Sequence, residues 1–307
     1  MTAAPRLVLR GRAVDLDRPV LMGIVNATPD SFSDGGQHAT TEARVALALA
    51  QAAAGAGMVD VGGQSGITGV PEVPADEEAD RVVPVVAGVR AAAPDLPVSV
   101  DTYRPEVAGP VLDAGAALVN DVSGLLYPEV AAQAAAAGAG LVIMHTRARP
   151  KVKVLEDDLY AEAGGVTADV VAFLEDRMAR AVAAGVPEEA IVLDPGPDFA
   201  KTPAQTVAVL RDLDRVRALG RPLLLALSRK DFVGAITHRP PRARLAGTLA
   251  AVGHALGHKG TILRVHDVAE VADYLAVASV LAGDADLPPE TRLDPSLRRQ
   301  SAPPAPA

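Results

Sequence analysis

The sequence predicts an α/β fold, a (β/α)8 TIM barrel in a single domain. Short apolar runs of strand length alternate with Ala-rich helical stretches along most of the chain. The runs are almost continuously apolar, which is typical of parallel strands buried on both faces of a sheet. The chain has 307 residues, and a barrel of this type takes roughly 250. An open, doubly wound sheet of similar length is the alternative.

Eight strand–helix units follow one another in strict alternation. The predicted strands are 20–26, 58–63, 98–102, 118–122, 141–146, 191–196, 223–228 and 262–268. The predicted helices are 41–54, 76–92, 105–114, 128–137, 166–184, 203–219, 242–256 and 268–281. We therefore expect a barrel over 20–283, with a β lead-in over 1–19 that caps the barrel bottom. The Pro- and Ala-rich segment 284–307 is typical of a disordered, flexible tail, and the polar connection 147–165 is long enough to be mobile.

Composition excludes several classes of protein. Hydrophobic residues make up 49% of the chain, aromatic residues only 3%, and Trp is absent, so the core must be aliphatic. The absence of Cys excludes disulfides, thiolate metal sites and a Cys nucleophile. A formal net charge of −9 argues against broad binding of nucleic acid or anionic membranes. With no apolar run of membrane-spanning length and no secretory leader pattern, we expect a soluble cytoplasmic protein.

Polar residues cluster where the predicted strands end. In a parallel barrel these ends meet at one face, where the chemistry takes place. The first strand ends at Asn26 and is followed by a loop that is longer and more polar than most strand–helix loops. Helix capping or an ion pair could explain Asp60 or Asp121 alone, but not the whole set. The other strand-end residues are Asp101, Asn120, Met144, His145, Asp194, Ser228, Arg229, Lys230, Arg264 and His266.

The chemistry of these residues indicates two kinds of binding. Asp101, Asn120, Asp194 and Lys230 suit a polar heterocycle, because carboxylates accept from ring N–H and amino groups while Lys donates to a ring carbonyl.

Arg264 and His266 are two residues apart and therefore lie on one face of the last strand. With Asn26 on the neighbouring strand they form a donor cluster suited to a pyrophosphate or a Mg²⁺-bound phosphate. The alternative for each basic residue is an internal ion pair, with Asp267 or Asp194 as the partner.

Six motifs in this order resemble the dihydropteroate synthase family. They are Asn26-Ala-Thr-Pro-Asp-Ser-Phe-Ser-Asp-Gly-Gly36, Ser99-Val-Asp-Thr102, Asn120-Asp121, Asp194-Pro-Gly196, Ser228-Arg-Lys230 and Arg264-Val-His266. The resemblance covers about residues 6 to 283. It implies a homodimeric barrel of folate synthesis that joins 6-hydroxymethyl-7,8-dihydropterin pyrophosphate to p-aminobenzoate and releases pyrophosphate.

The resemblance also implies roles for individual residues. The pterin would be bound by Asp101, Asn120, Met144, Asp194 and Lys230. The pyrophosphate would meet Asn26, Arg264 and His266, with Asn26 also on a Mg²⁺ cofactor. The catalytic set would be Asp101, Lys230, Arg264 and His266. In the family's SN1-like chemistry, pyrophosphate leaves first and the aryl amine attacks the pterin methylene cation.

The loop after the second strand departs from the family pattern. Where the family reads Gly-Gly-Glu-Ser-Thr-Arg-Pro-Gly, this chain has Gly62-Gly-Gln-Ser-Gly-Ile-Thr-Gly69, so Gly66, Ile67 and Thr68 replace Thr, Arg and Pro. Ile67 cannot supply a guanidinium to pyrophosphate, a loss on the order of 2–4 kcal/mol in transition-state binding.

The second-substrate side departs at two further places. Asp231 stands where the family has a Ser at a helix start, close to the carboxylate of p-aminobenzoate. We expect Asp231 to cap that helix and to repel an incoming carboxylate. The loop after the sixth strand keeps Phe199 and Lys201 but adds Pro197 and Asp198, which stiffen it and add negative charge.

Three functions remain open on these residues. The first is a dihydropteroate synthase with a modified site for its aryl amine. The second is a diverged paralogue that binds the pterin but condenses poorly, or uses a different amine. The third is a pterin-binding barrel with a regulatory role and no turnover. Methyltetrahydrofolate-binding barrels share the pterin pocket, but the Asn26 loop and Arg264-Val-His266 favour pyrophosphate chemistry.

Overall fold

The computed structural model describes residues 5–27, 40–66, 69–256 and 259–298. Its strands are β1 (Leu7–Leu9), β2 (Arg12–Val14), β3 (Val20–Asn26), β4 (Met58–Gly62), β5 (Val98–Asp101), β6 (Leu118–Asp121), β7 (Gly140–Met144), β8 (Ile191–Asp194), β9 (Leu223–Leu225) and β10 (Thr261–Val265). Its α-helices are α1 (Thr41–Ala53), α2 (Ala75–Ala92), α3 (Pro105–Asp113), α4 (Glu129–Ala136), α5 (Val166–Ala183), α6 (Pro203–Arg211), α7 (Leu213–Arg217), α8 (Asp231–Thr237), α9 (Leu245–Ala255) and α10 (Val268–Ala282). Short 3-10 helices cover Glu188–Ala190, Pro241–Ala243 and Pro295–Leu297.

Eight parallel strands close into a barrel in the order β10-β3-β4-β5-β6-β7-β8-β9. Closure depends on β10, which pairs in parallel with β3 on one side and β9 on the other. Every residue of β4 and β7 is buried, as the apolar runs predicted. The predicted (β/α)8 barrel is confirmed, and the open sheet is excluded.

Seven of the eight barrel strands are one to three residues shorter than predicted, because their last polar residues leave the hydrogen-bonded ladder, whereas β3 has the predicted bounds. The predicted strand 191–196 ends at Asp194, whose Oδ1 accepts a hydrogen bond from the Gly196 N–H at 2.7 Å. This local turn ends β8.

Three helical regions also differ from prediction. The predicted helix 203–219 is interrupted at Asp212 and forms α6 and α7. Helix α8 was not among the eight predicted helices, since its seven residues are too short for a helical period to be recognised. The predicted helix 242–256 starts later, at Leu245, after a 3-10 turn.

The N-terminal lead-in is an antiparallel hairpin of β1 and β2 that covers the bottom of the barrel. Leu7, Leu9 and Leu16 are buried in one apolar cluster with Met22 and Met58 from the barrel strands. The hairpin therefore fills the end of the barrel opposite to the polar strand ends.

The chain divides into two compact units, residues 1–272 and 273–307. The second unit contains the end of α10 and the 3-10 turn Pro295–Leu297. Residues 299–307 lie outside the described part, so the predicted flexible tail and the boundaries at 20 and 283 stay predictions. In the part of the chain that the structure describes, no helix is both long and apolar enough to cross a membrane.

Replacing Gly140 by Ala tests how tightly the hairpin seals the barrel. A Cβ at Gly140 would lie 2.5 Å from Leu9 Cδ2, 2.7 Å from Ala190 O and 2.8 Å from Leu118 Cδ1. Because both side chains belong to a packed core, we expect Gly140→Ala to lower the free energy of unfolding by about 1–3 kcal/mol in urea titrations. Gly109→Ala is the matched control, since its nearest atom lies at an ordinary 3.5 Å. An equal response of the two variants would contradict this packing.

Candidate functional site

The carboxyl ends of the barrel strands surround a cavity of about 730 Å³, which we call the inner cavity. The sequence-predicted residues for the pterin and the pyrophosphate all line it. They are Asn26, Asp101, Asn120, Met144, Asp194, Lys230, Arg264 and His266. The structure thus brings eight residues from seven strand ends to one place, while their individual roles stay predictions.

Strand register explains how the carboxylates and the amide become neighbours. Asp101 on β5 is paired with Gly62 on one side and with Asn120 on the other. Met144 on β7 is paired with Asp194 on β8. Because parallel strands place paired residues at one level, Asp101 and Asn120 share a level on adjacent strands of the inner cavity.

Arg264 connects three strands across the barrel interior. Its Nε donates to Asp60 Oδ2 at 2.6 Å and its guanidinium donates to Asp101 Oδ2 at 3.0 Å. Although burial alone would lower the pKa of Arg264, the carboxylates of Asp60 and Asp101 raise it. Burial raises the pKa of Asp101, and the Arg264 charge opposes that shift. The Arg264 guanidinium is therefore held between two carboxylate groups in the barrel interior.

Asp60, for which the sequence offered only a helix cap or an ion pair, is paired with Arg264 at the centre of the site. It is completely buried, and its Oδ2 also accepts from Asn120 Nδ2 at 3.1 Å. Within the described ranges, Asp60 Oδ1 and Asn120 Oδ1 are buried without a hydrogen-bond partner. A carboxylate inside the apolar run Met58-Val-Asp-Val was the available signal, because such a group is rarely buried unless it is paired or used.

Asp194 and Lys230 face the inner cavity from β8 and from the start of α8. Asp194 is only 2% exposed, and burial raises its pKa to about 6 against the hydrogen bond from Gly196. Burial lowers the pKa of Lys230, opposed by the charges of Asp198 and Asp194. The Lys230 ammonium lies 4.4 Å from the centroid of the Phe199 ring, a cation–π contact.

His266 is neutral at pH 7. Burial lowers its pKa to about 3, and the charges of Arg229 and Arg264 act in the same direction. Its Nδ1 lies 2.9 Å from Ser228 Oγ, which fixes the ring. Arg229 is itself paired with Asp267, through Nε at 3.1 Å. The donor cluster of Asn26, Arg264 and His266 therefore carries little unpaired positive charge, because the Arg264 guanidinium is paired with carboxylates and His266 is uncharged.

The helix cap expected of Asp231 is supplied by Asp198 instead. Lys230 is the N-cap residue of α8, and Asp231 is its first helical residue. Asp198 Oδ2 accepts from the N–H groups of Asp231 and Phe232, at 2.5 and 3.3 Å. The Asp231 carboxylate turns outward to Arg244, 3.1 Å away. The predicted capping role of Asp231 was wrong because a carboxylate from another loop reaches the same donors.

An outer cavity of about 690 Å³ adjoins the inner one and shares Gly66, Asp101, Phe199 and Lys230 with it. Its other lining residues include Asp198, Asp231, Arg149, Lys151 and Lys153. The last three come from the connection 147–165, which was predicted to be mobile. Several hydrogen bonds anchor that connection, among them those from Lys151 Nζ to Ser65 O, from Tyr160 OH to Ala200 O at 2.6 Å and from Gln205 Nε2 to Glu156 O at 3.0 Å.

Some predicted site residues cannot be placed. Ile67 and Thr68 of the altered loop, and most of the loop after Asn26, lie outside the described residues. Among the residues that are described, no group of three or more His, Asp or Glu side chains could hold a metal ion. The oxygen of the Asn26 carboxamide is a hard ligand of the kind that Mg²⁺ accepts, beside substrate phosphates and water.

Comparisons with known proteins agree with this geometry. A family described as "Pterin binding enzyme" matches residues 22–266. The dihydropteroate synthase of Synechocystis sp. is 40% identical over 266 residues, covering 86% of this chain and 90% of the relative. That of Escherichia coli is 37% identical over 272 residues, covering 89% and 95%.

Solved structures give the same result. Xanthomonas albilineans dihydropteroate synthase with 4-aminobenzoic acid has a TM-score of 0.82 and 42% identity, over 91% of this chain and 99% of that one. The same enzyme in complex with 7,8-dihydropteroate has a TM-score of 0.78 and 41% identity, with the same coverage. The resemblance inferred from six motifs is confirmed: this chain belongs to the pterin-binding enzyme family, among relatives that are dihydropteroate synthases.

Proposed function

We propose that the chain condenses 6-hydroxymethyl-7,8-dihydropterin pyrophosphate with p-aminobenzoate and releases pyrophosphate. One observation carries the proposal: Asp101, Asn120, Asp194 and Lys230 line one cavity, and Asn120 Oδ1 is buried there without a hydrogen-bond partner among the described residues. Relatives at about 40% identity are dihydropteroate synthases, and one of them was solved with 4-aminobenzoic acid and with 7,8-dihydropteroate.

The inner cavity suits a pterin ring by its pattern of donors and acceptors. The ring carries N–H and amino donors, which suit the carboxylate of Asp194 and Asn120 Oδ1. Its carbonyl accepts from Lys230. Met144 is 1% exposed and provides an apolar surface for the ring face. Leaving any of these buried acceptors unpaired would cost about 1–3 kcal/mol, so the site favours a ring with several donors.

The proposed reaction replaces one bond at the pterin methylene carbon. The carbon–oxygen bond to pyrophosphate breaks and its electron pair leaves with the oxygen. The methylene cation is stabilised by the nearby Asp101 carboxylate. The aryl amine then forms the carbon–nitrogen bond and loses a proton to solvent. Arg264 and His266 are positioned to donate hydrogen bonds to the departing oxygens, which stabilises the charge that develops there.

Three further features of the proposal rest on the family resemblance. Asn26 would contribute to holding Mg²⁺, which when bound neutralises charge on the pyrophosphate. The protein would act as a homodimer. It would act in the cytoplasm on small molecules, with no nucleic acid or membrane partner.

A second candidate is a diverged paralogue that binds the pterin but accepts a different amine. It is favoured by Asp198, whose carboxylate already occupies the N–H groups of Asp231 and Phe232. Asp231 adds a second negative charge beside the outer cavity. Both would disfavour the carboxylate of p-aminobenzoate and tolerate a neutral or cationic amine.

Pyrophosphate release separates these candidates. The purified protein is given the dihydropterin pyrophosphate and Mg²⁺, with and without p-aminobenzoate, and dihydropteroate is measured by chromatography. Release that requires p-aminobenzoate and yields dihydropteroate supports the synthase. Pterin binding without such release supports the diverged paralogue, and absence of pterin binding contradicts both.

Pterin affinity should fall at acid pH through Asp194. Because its pKa is about 6, the Asp194 carboxylate is ionised at pH 7 and protonated well below pH 6. Protonation removes one of the hydrogen-bond acceptors that the site offers to the ring donors of the pterin. We expect the Kd for 6-hydroxymethyl-7,8-dihydropterin, which lacks the titrating pyrophosphate, to rise by up to about tenfold per pH unit below that pKa. Asp194→Asn should bind more weakly at pH 7 and show a smaller pH dependence, in which the titration of Asp101 remains, since burial raises the pKa of Asp101 to about 7. An unchanged pH profile in the variant would exclude Asp194 as the group.

Asp231→Ser tests electrostatic exclusion of the second substrate. The Asp231 side chain is 69% exposed, so solvent screens its charge. Removing it should lower the KM for p-aminobenzoate by only about two- to fivefold, and less at high salt. Asp95→Ser, which removes an exposed carboxylate paired with Arg12, is the matched control. Equal KM values for wild type and Asp231→Ser at low salt would mean that Asp231 has no electrostatic role.

A further inference from the structure

A buried lysine outside the inner cavity holds the loop between β8 and α6. Lys201 is 1% exposed, and its ammonium lies 3.0 Å from Gly196 O and 3.1 Å from Phe199 O. Its third partner is His145 Nδ1, at 2.7 Å. Lys201 therefore contacts the inner side of loop 196–200 at two carbonyl oxygens and ties it to the end of β7.

The lysine is the end of a chain of four polar side chains. An ammonium can only donate, so His145 Nδ1 accepts from Lys201 and its Nε2–H donates to Asp169, 2.9 Å away. Arg147 Nε donates to the same carboxylate at 2.8 Å. Although burial alone would raise the pKa of Asp169, hydrogen bonds from His145 and Arg147 lower it. The carboxylate stays ionised and fixes the imidazole that receives Lys201.

Loop 196–200 needs such restraint because of its backbone. Asp198 and Ala200 both have left-handed conformations, with φ values of 65° and 50°. Non-glycine residues in this region are strained and persist only where surrounding contacts hold them. Lys201 supplies two of those contacts, and Tyr160 supplies another through its hydrogen bond to Ala200 O at 2.6 Å.

The outer side of the same loop forms a wall of the cleft. Phe199 lines both cavities and covers the Lys230 ammonium, 4.4 Å from the ring centroid. Asp198 accepts from the first two N–H groups of α8. Both side chains extend from a backbone whose carbonyl oxygens accept from Lys201 and Tyr160. Thr206 also contacts Asp198, because its Oγ1 accepts from the Asp198 N–H at 3.0 Å and donates to Asp198 Oδ1 at 3.1 Å.

Burial lowers the pKa of Lys201 to about 7, although the charges of Asp194 and Asp169 oppose the shift. Keeping an ammonium in this place therefore costs free energy, which a neutral side chain of similar length would avoid. The presence of a lysine here is therefore explained by the hydrogen bonds that its ammonium group donates, and not by the volume of its side chain.

We infer that Lys201 is a positioning residue, which fixes the backbone of loop 196–200 through hydrogen bonds to its carbonyl oxygens. In this way it places the Phe199 ring over Lys230 and the Asp198 carboxylate at the start of α8. Both side chains lie on the side of the cleft that receives the second substrate. The inference rests on the proposed function for its kinetic consequence, but not for its structural one.

The structural consequence is measured by amide hydrogen exchange. In Lys201→Met, which keeps the length of the side chain and removes its donors, the amides of Asp231 and Phe232 should exchange about tenfold faster or more, because Asp198 no longer holds them. Lys259→Met is the matched control, since Lys259 pairs with Asp17 at the barrel bottom. It should leave both amides unchanged.

The kinetic consequence is a split between the two substrates. Lys201→Met should raise the KM for p-aminobenzoate about tenfold or more, while the Kd for 6-hydroxymethyl-7,8-dihydropterin changes by less than about threefold. A lysine that only stabilises the fold would affect both substrates alike. If Lys201→Met does not fold, Tyr160→Phe removes only the hydroxyl on Ala200 O and should give the same split with a smaller amplitude.

The outcomes distinguish the two proposals. If Lys201→Met shows faster amide exchange at α8 but the wild-type protein shows no p-aminobenzoate-dependent turnover, the positioning role is supported and the proposed synthase activity is contradicted. An active wild type whose variants keep both the exchange rates and the KM for p-aminobenzoate contradicts the positioning role alone.

Discussion

The charge network at Arg264 is the constraint on which the site depends. A guanidinium on β10 is held between Asp60 on β4 and Asp101 on β5, so three strands are joined through the barrel interior. Such pairs rarely add net stability, because the cost of removing ions from water offsets their attraction. An aliphatic layer would fill this space at least as well. We therefore interpret the network as a polar surface for a ligand, because it holds the oxygen atoms of Asp60, Asp101 and Asn120 in fixed orientations in the barrel interior.

Charge is distributed in depth along the cleft. The inner cavity is lined by Asp101, Asp194, Lys230 and an uncharged His266. It is also lined by three guanidinium groups, of Arg229, Arg242 and Arg264, and those of Arg229 and Arg264 are paired with carboxylates. The outer cavity adds Arg149, Lys151 and Lys153 from the connection after β7, together with the carboxylates of Asp198 and Asp231. In a protein of net charge −9, the basic side chains of both cavities provide a local attraction for anions, which the two carboxylates oppose on the outer side.

Hydrophobic periodicity was sufficient to predict the barrel, because each strand is buried on both faces and reads as an apolar run. It placed the cleft as well, since in a parallel barrel all strand ends meet at one face. Asp60 and Asp198 were not assigned because their roles come from partners far away in sequence, namely Arg264 and the amides of α8. Helix α8 was not predicted from periodicity, because its seven residues are too few for a helical period. Only the family resemblance placed a helix start at Asp231, and the cap comes from Asp198 in a different loop.

Among the described residues, the departures Gly66, Asp198 and Asp231 all line the outer cavity, and physical coupling explains why this part of the cleft can vary. The acceptors around Arg264 share one guanidinium and one amide, so changing a single member would leave a buried charge or donor without a partner. Loop 196–200 is different. Lys201 and Tyr160 donate hydrogen bonds to its backbone carbonyl oxygens on the buried side, whereas the side chains of Asp198 and Phe199 line the outer cavity. Residues at its surface can therefore change the size and charge of the second-substrate wall without disturbing the charges that orient the first substrate.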